Sequence, residues 1–363
     1  MNSKSSTRPS LVSANNRLDT ITRDFIVRAR GDRGTSRMLL ILIGSFALFT
    51  YLQPDIFLNP VNLQNIMIAS PEIGVIAVAM MVAMLTGGID LSTVAVANLS
   101  AITITTLYSS LMASDPARAA QMMPFIVLLG LVVGLAGGLF NGFLISYVGI
   151  APILATLGSM QIFNGLAIVW TGGKTLYGAP EELAAVGKAG VLGMPTTFIA
   201  LLVIAGLVAI FLNKTSLGRK TQLLGTNPVA ARYSGINSRQ VLMSTYMLTG
   251  LLGGCAGVLF LARNPTSSAD YGSSYVLLVI VIAVLGGTNP AGGFATVTGV
   301  VLATLTLQTV ASGFNAIRLS AYEYSIAQGA ILILVMILDQ ASTKRKLNKG
   351  LNKANWFKKK ARK

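Results

Sequence analysis

The chain has 363 residues, of which 53% are hydrophobic and 11% charged, and its formal net charge is +16. Soluble domains carry roughly a quarter charged residues, so this composition excludes a soluble globular protein and describes a polytopic membrane protein. The basic residues lie at both ends and in one loop, not on a folded basic domain with stacking aromatics, which argues against nucleic acid as a partner. Cys255 is the only cysteine and histidine is absent, so an intrachain disulfide and a Cys/His metal site are excluded.

In chain order, residues 1–37 are polar and basic, with no apolar core followed by a small-residue cleavage site, and read as a cytoplasmic tail rather than a cleaved signal. Within them Leu18, Ile21 and Phe25 fall at helical spacing beside Arg17, Arg28 and Arg30, a pattern that suits either a helix on lipid headgroups or a disordered tail. About 20 apolar residues span a bilayer as a helix. Ten stretches meet or approach that length: 38–52, 63–85, 91–112, 124–147, 152–171, 197–212, 241–262, 275–287, 294–314 and 320–338, of which the first, sixth and eighth are short. The predicted fold class is all-α, a polytopic membrane protein with about ten transmembrane helices. Its domains are the tail 1–37, a transmembrane domain 38–340 with a cytoplasmic loop at 214–240, and a basic cytoplasmic tail 341–363.

Lys and Arg set the orientation, because cytoplasmic loops carry their excess. Eight fall in the amino-terminal tail, five from Lys214 to Arg239 and ten from Lys344 to Lys363. Only Arg118, Lys174, Lys188, Arg263 and Arg318 fall on the other side, and none is expected within a span. Both termini are therefore expected in the cytoplasm, with an even number of spans.

Acidic residues at membrane depth cost several kcal/mol unless they face water or a partner. Glu72, early in the second span, and Glu323, at the outer end of the last, are candidate vestibule groups for a hydroxylated solute; interfacial snorkelling or hydrogen bonding between helices is the alternative. Asp90, at the inner end of the second span, completes the acids of a possible solute path. The glycines at 130, 134, 137 and 138, and at 250, 253, 254 and 257, read as stripes that let helices approach closely. Gly172-Gly173-Lys174-Thr175 looks like the end of a phosphate-binding loop, but the first glycine of that pattern falls on Ile168, so no nucleotide site is expected. No nucleophile is paired with a histidine base and no two carboxylates are placed together, so no catalytic site, cofactor or metal is expected and transport is the natural class.

The basic stretch 217–240 carries Arg219, Lys220, Arg232 and Arg239 and no acidic residue. Asn227 as cap, Pro228 at the first helical position and Gly235 as stop predict a helix of one to two turns. Val229, Ala230, Ala231, Tyr233 and Ile236 give it small and apolar faces that suit a compact knob pressed into a groove of a soluble partner, with an ordinary solvated loop as the alternative.

Three blocks carry a family resemblance: Thr86-Gly87-Gly88-Ile89-Asp90-Leu91-Ser92; Gly225-Thr226-Asn227-Pro228-Val229-Ala230-Ala231-Arg232-Tyr233-Ser234-Gly235-Ile236-Asn237; and Leu285-Gly286-Gly287-Thr288-Asn289-Pro290-Ala291-Gly292-Gly293. From about residue 59 to 339 the chain resembles the ribose, xylose and galactose type of permease of bacterial ABC importers, with branched-chain amino acid permeases more distant. The resemblance implies a permease subunit that translocates a sugar-like solute in the bacterial inner membrane while a separate cytoplasmic ABC ATPase hydrolyses ATP. It implies a periplasmic solute-binding protein, a homodimer or a heterodimer with a second permease, and surrounding membrane lipids. It also implies that Gly225, Asn227, Ala230, Ala231, Arg232, Ser234 and Gly235 form the coupling segment on which the ATPase docks. Two departures stand out: Thr93-Val94 replaces the family's usual Val-Gly, and Glu323 falls where ribose permeases tend to be uncharged. An ion-coupled secondary transporter and a structural membrane scaffold are the competing readings.

Overall fold

The computed structural model describes residues 33–318, Leu192 excepted, together with Glu323, Ile326, Gly329 and Ala330. The tail pattern at Leu18, Ile21 and Phe25, most of the tenth predicted span and the carboxyl-terminal tail lie outside the described residues. Eight helices are long and apolar enough to cross a membrane, and Tyr275–Leu285 is a shorter apolar helix. Nine of the ten predicted spans thus have a helical counterpart among the described residues.

In chain order the helices are α1 (Arg33–Leu52), α2 (Pro54–Phe57), α3 (Pro60–Met84), α4 (Thr93–Ser114), α5 (Pro116–Phe143), α6 (Pro152–Thr171), α7 (Glu181–Lys188), α8 (Thr196–Lys214), α9 (Ser216–Thr226), α10 (Pro228–Tyr233), α11 (Ser238–Arg263), α12 (Tyr275–Leu285) and α13 (Val297–Ala316). Two antiparallel pairs of two-residue strands join connecting segments, Leu176–Tyr177 with Thr266–Ser267 and Gly190–Val191 with Met194–Pro195. Local chemistry sets the helix limits. Proline occupies the first turn of α3, α5 and α6, where its missing N–H costs nothing. Asn59 caps α3 by accepting from the Val61 amide, and Asp115 caps α5 by accepting from Arg118. Gly172 ends α6 in the left-handed conformation, φ 63°. The apparent phosphate-loop remnant is therefore a helix stop.

Burial sorts the bundle from the inside out. In α3 every residue from Ser70 to Met84 is buried, which suits a helix apolar on all sides. Around it pack α11, α4, α12 and α13, and their apolar residues merge with α3 and α8 into one core. The outer helices α1, α5, α6 and α8 each bury a narrow stripe and expose residues such as Leu40, Leu128, Val169 and Leu207 to the lipid side. Because hydrocarbon gives apolar helices no reason to avoid it, helix association in a membrane depends on close packing.

The glycine stripes supply that packing. A Cβ at Gly138 would run into the Tyr246 carbonyl and the Gly250 backbone, and one at Gly134 would come within 2.7 Å of the Gly250 oxygen. The backbones of α5 and α11 therefore touch along Gly134, Gly138, Gly250 and Gly254. Gly257 does the same against the Ala97 carbonyl of α4, and Gly253 keeps α11 close to Thr93. Gly138→Leu is expected to force α5 from α11 at a cost of about 3 kcal/mol, the upper range for overpacking. Gly206→Leu, on an open face of α8 with nothing within 4 Å of its added Cβ, should match the parent. Thermal unfolding of the two purified variants in detergent checks the contrast.

Candidate functional site

The predicted short helix forms as α10. The Asn227 side chain accepts from the Ala230 amide at 3.0 Å, Pro228 takes the first helical position, and Gly235 ends the turn at φ 76° while Ile236 N–H closes on the Ala231 carbonyl at 3.1 Å. Asn227, Ala230, Arg232, Ser234 and Gly235 are exposed. Ala231 differs: only 4% exposed, it packs with Leu224 and Val241, flanked by Ile236 and Leu242. Its small side chain seats α10 on its own chain, and the apolar knob presented outward consists of Val229, 66% exposed, and Tyr233, 90% exposed. Arg239, in the first turn of α11, lies with its guanidinium carbon 5.8 Å from the centre of the Tyr147 ring in the π-helical turn Leu144–Val148 that follows α5.

Gly225 is also buried, and it explains how α10 is fastened. A Cβ there would fall on the Leu85 carbonyl and within 2.6 Å of the Gly293 nitrogen. Gly293 N–H donates to that same Leu85 carbonyl at 2.9 Å. A Cβ on Gly292 would come within 2.7 Å of the Gly225 oxygen and 2.9 Å of the Gly87 nitrogen. Backbone from three distant stretches, 85–87, 225–226 and 291–293, is thus in close contact, with the Thr226 side chain lying against Gly293. The third stretch is held in shape by Asn289, whose Nδ2 donates to the Gly292 carbonyl at 2.9 Å and whose Oδ1 accepts from Ala291 at 3.1 Å.

Asp90 supports this joint. It is 1% exposed and accepts from the Ser92 hydroxyl at 2.7 Å, the Ser92 amide at 3.1 Å and the Thr249 hydroxyl at 2.7 Å. Asn141 Nδ2 donates in turn to Ser92 Oγ at 2.7 Å. Burial pushes the Asp90 carboxyl above its usual range, and the Ser92 and Thr249 hydrogen bonds oppose that rise. Asp90 therefore joins the start of α4 to α5 and α11.

Glu72 is enclosed by protein rather than open at a vestibule. At 1.5 Å per residue it is about 18 Å from the Pro60 end of α3, and it is 1% exposed. Its carboxylate pairs with Arg263 and accepts from the Tyr271 and Tyr275 hydroxyls at 3.1 and 3.0 Å. Arg263 is the last residue of α11, Lys214 ends α8, and Arg118 and Arg239 lie in the first turns of α5 and α11, which corrects the expectation that no Lys or Arg belongs to a span: basic residues occupy helix ends, and the Arg263 side chain reaches a carboxylate on the neighbouring helix. Glu323 is exposed on a helical position, and the Glu72 hydrogen bonds are to α11, α12 and the stretch between them. Sequence reasoning missed Arg263, Tyr271 and Tyr275; the signal was that a lone acid in an apolar helix needs a partner.

A bundle of membrane-length helices, with a basic stretch fastened to it by backbone contacts at Gly225, describes a multi-pass membrane protein. The family described as the branched-chain amino acid transport system permease component matches residues 62–336. The chain is 32% identical over 286 residues to the ribose import permease protein of Bacillus subtilis, covering 78% of this chain and 86% of that one. It is 30% identical over 311 residues to the D-allose transport system permease protein of Escherichia coli, covering 86% and 92%, and 31% identical over 271 residues to the autoinducer 2 import system permease protein of the same species, covering 73% and 79%. No solved structure matches the chain. The chain belongs to this family of multi-pass transport permeases.

The joint has a direct test. Gly225→Val is expected to prise α10 from the bundle, so that trypsin cuts at Arg219, Lys220 and Arg232 several times faster in membranes while the spans stay intact. Thr226→Ser should leave the cleavage rate unchanged.

Proposed function

We propose that the chain is the membrane-spanning subunit of a binding-protein-dependent importer for a sugar or sugar-like solute, with both termini in the cytoplasm. The observation that carries this reading is the joint: the coupling segment meets the other two family blocks through bare backbone, so force on α10 reaches α3, α4, α12 and α13 together. A cytoplasmic ABC ATPase docks on the outward face of α10 and supplies the energy, leaving this chain without catalysis of its own. A periplasmic binding protein delivers solute to the opposite face. The related permeases named for ribose, D-allose and galactose support the solute class.

Of the acids proposed for the path, Glu72 and Asp90 act as supports, since each is 1% exposed. The related permeases, named as parts of import systems, lend no support to an ion-coupled carrier. Two copies meet, in this reading, through the open face of α6, where Gln161 is exposed midway along the span between the exposed glycines Gly158 and Gly165. An amide facing hydrocarbon is costly, and a twofold axis beside it pairs it with its mate. Gln161→Cys in a Cys255→Ala background should give a disulfide-linked dimer on mild oxidation; a chain that remains monomeric on gels contradicts this interface.

The ATPase contact is read from Val229 and Tyr233. Val229→Asp with Tyr233→Ala should lower recovery of the partner ATPase on purification about tenfold or more, with normal amounts of inserted permease. Ala231→Trp should instead reduce the amount of folded protein, because it overfills the contact with Leu224 and Val241. Undiminished ATPase recovery with the double variant contradicts the assignment.

A further inference from the structure

Helix α6 packs mainly on α4 and stands off α5. The gap is a groove of about 330 Å³, with Val96 and Leu99 of α4 as its floor, Val133 and Phe140 of α5 on one wall and Ile162 and Leu166 of α6 on the other. Every lining residue is apolar, so water finds no hydrogen-bond partner there, and an empty groove forfeits contacts along its whole length. Phe140, Ile162 and Leu166 are exposed, so the groove opens on the surface these spans turn outward. Gln161, Gly158 and Gly165, the residues of the proposed contact between copies, do not line it.

One end of this groove leads to a cation. Val133, Ala136, Phe140, Phe143 and Tyr147 recur at helical spacing, a single stripe along α5 and the π-helical turn after it. The Phe140 ring meets Phe163 with centroids 5.9 Å apart, and Phe143 stacks on Tyr147 at the same separation. Beyond Tyr147 lies Arg239, its guanidinium carbon 5.8 Å from that ring. Arg239 is exposed, and the only ion pair among the described residues is Arg263 with Glu72. Contact with a ring occupies the face of a guanidinium and leaves the N–H donors at its edge for an acceptor. From Leu183 to Ala269 the sequence contains no Asp or Glu, so this stretch supplies no acceptor carboxylate of its own. Val133 and Tyr147 are about 21 Å apart along the stripe at 1.5 Å per residue, which matches one leaflet with its headgroup region, half of roughly 40–45 Å.

We propose that this groove holds one phospholipid with an anionic headgroup, its phosphate on Arg239 and one acyl chain laid along the stripe toward Val133. The two ends select the occupant together. A free anion has nothing to fill the apolar length, and an apolar segment alone leaves the guanidinium edge unmet. A net negative headgroup is favoured over a zwitterionic one, because Arg219, Lys220 and Arg232 in the same acid-free stretch add to the positive field. Seated there, the chain fills the gap and braces α6 against α5. The site depends on neither the solute nor the ATPase.

Native mass spectrometry of the full chain, purified in mild detergent and supplied with phosphatidylglycerol or phosphatidylcholine, tests it. The parent should retain one phosphatidylglycerol per chain, with phosphatidylcholine retained at least about fivefold less. Arg239→Ala should lower phosphatidylglycerol retention at least about fivefold, and Arg239→Lys should keep most of it. An equal loss with Arg232→Ala, on α10, would mark diffuse attraction and overturn the site. Ala136→Trp and Leu166→Trp, which fill the groove from its opposite walls, should reduce retention of both lipids, whereas Leu207→Trp on the exposed face of α8 should not; thermal unfolding in detergent checks that each variant is folded. Parental retention by Arg239→Ala or by both groove variants overturns the proposal. So does displacement of the lipid by glycerol phosphate at equal concentration, the mark of an anion site without a tail. Loss of a dimer in place of lipid with the groove variants would make the groove a contact between copies and overturn it equally.

Discussion

The structure depends on one contact between bare backbones: Gly225 against the Leu85 carbonyl, with Gly293 donating to the same oxygen. A hydrogen bond of this kind contributes only about 1 kcal/mol net. Its weight comes from what it excludes, because any side chain at Gly225 would fall on the Leu85 carbonyl. The loop bearing α10, the turn after α3 and the turn after α12 are thereby fixed as one body. Close-packed interfaces of this type move between discrete arrangements rather than deforming smoothly, which is the property a transmitted stroke requires.

A second design feature is the division between a buried centre and a lipid-facing shell. Helix α3 has no exposed stripe over its second half, so in the proposed coupling a displacement of α10 would pass into a helix with neighbours on every side. Asp90 and Glu72 mark two of the levels at which polar bonds tie helices across this centre. Each connects residues far apart in the chain, Asp90 with Thr249 and Glu72 with Arg263. Breaking either pair would leave an uncompensated polar group in a low-dielectric interior, which is more costly than the pair is worth.

Much of this was legible in the sequence where punctuation is local. Helix α6 runs from Pro152 to Thr171 as predicted, because proline and glycine bound it. Helix α10 was legible for the same reason, from Asn227, Pro228 and Gly235. The glycine stripes were legible as packing because small residues recur at helical spacing. What could not be read was direction. Ala231 is small whether it meets a partner or its own chain, and only Leu224 and Val241, brought in by folding, decide between them. Similarly, the shortness of the 275–287 stretch was visible, but not that the residues before it fold back beside Asn98, a pairing 171 positions apart.

The central claim is that α10 and the 291–293 turn move together. Spin labels on Tyr233 and Phe294, both exposed, report the separation within one chain in membranes containing the partner ATPase, with and without bound ATP. The account predicts a distance that stays constant within about 2 Å, the scale of small helix shifts at interfaces, while ATP changes the accessibility of the opposite face. A nucleotide-dependent change of several Å between those two labels would show that the joint opens, and would contradict the role given to Gly225.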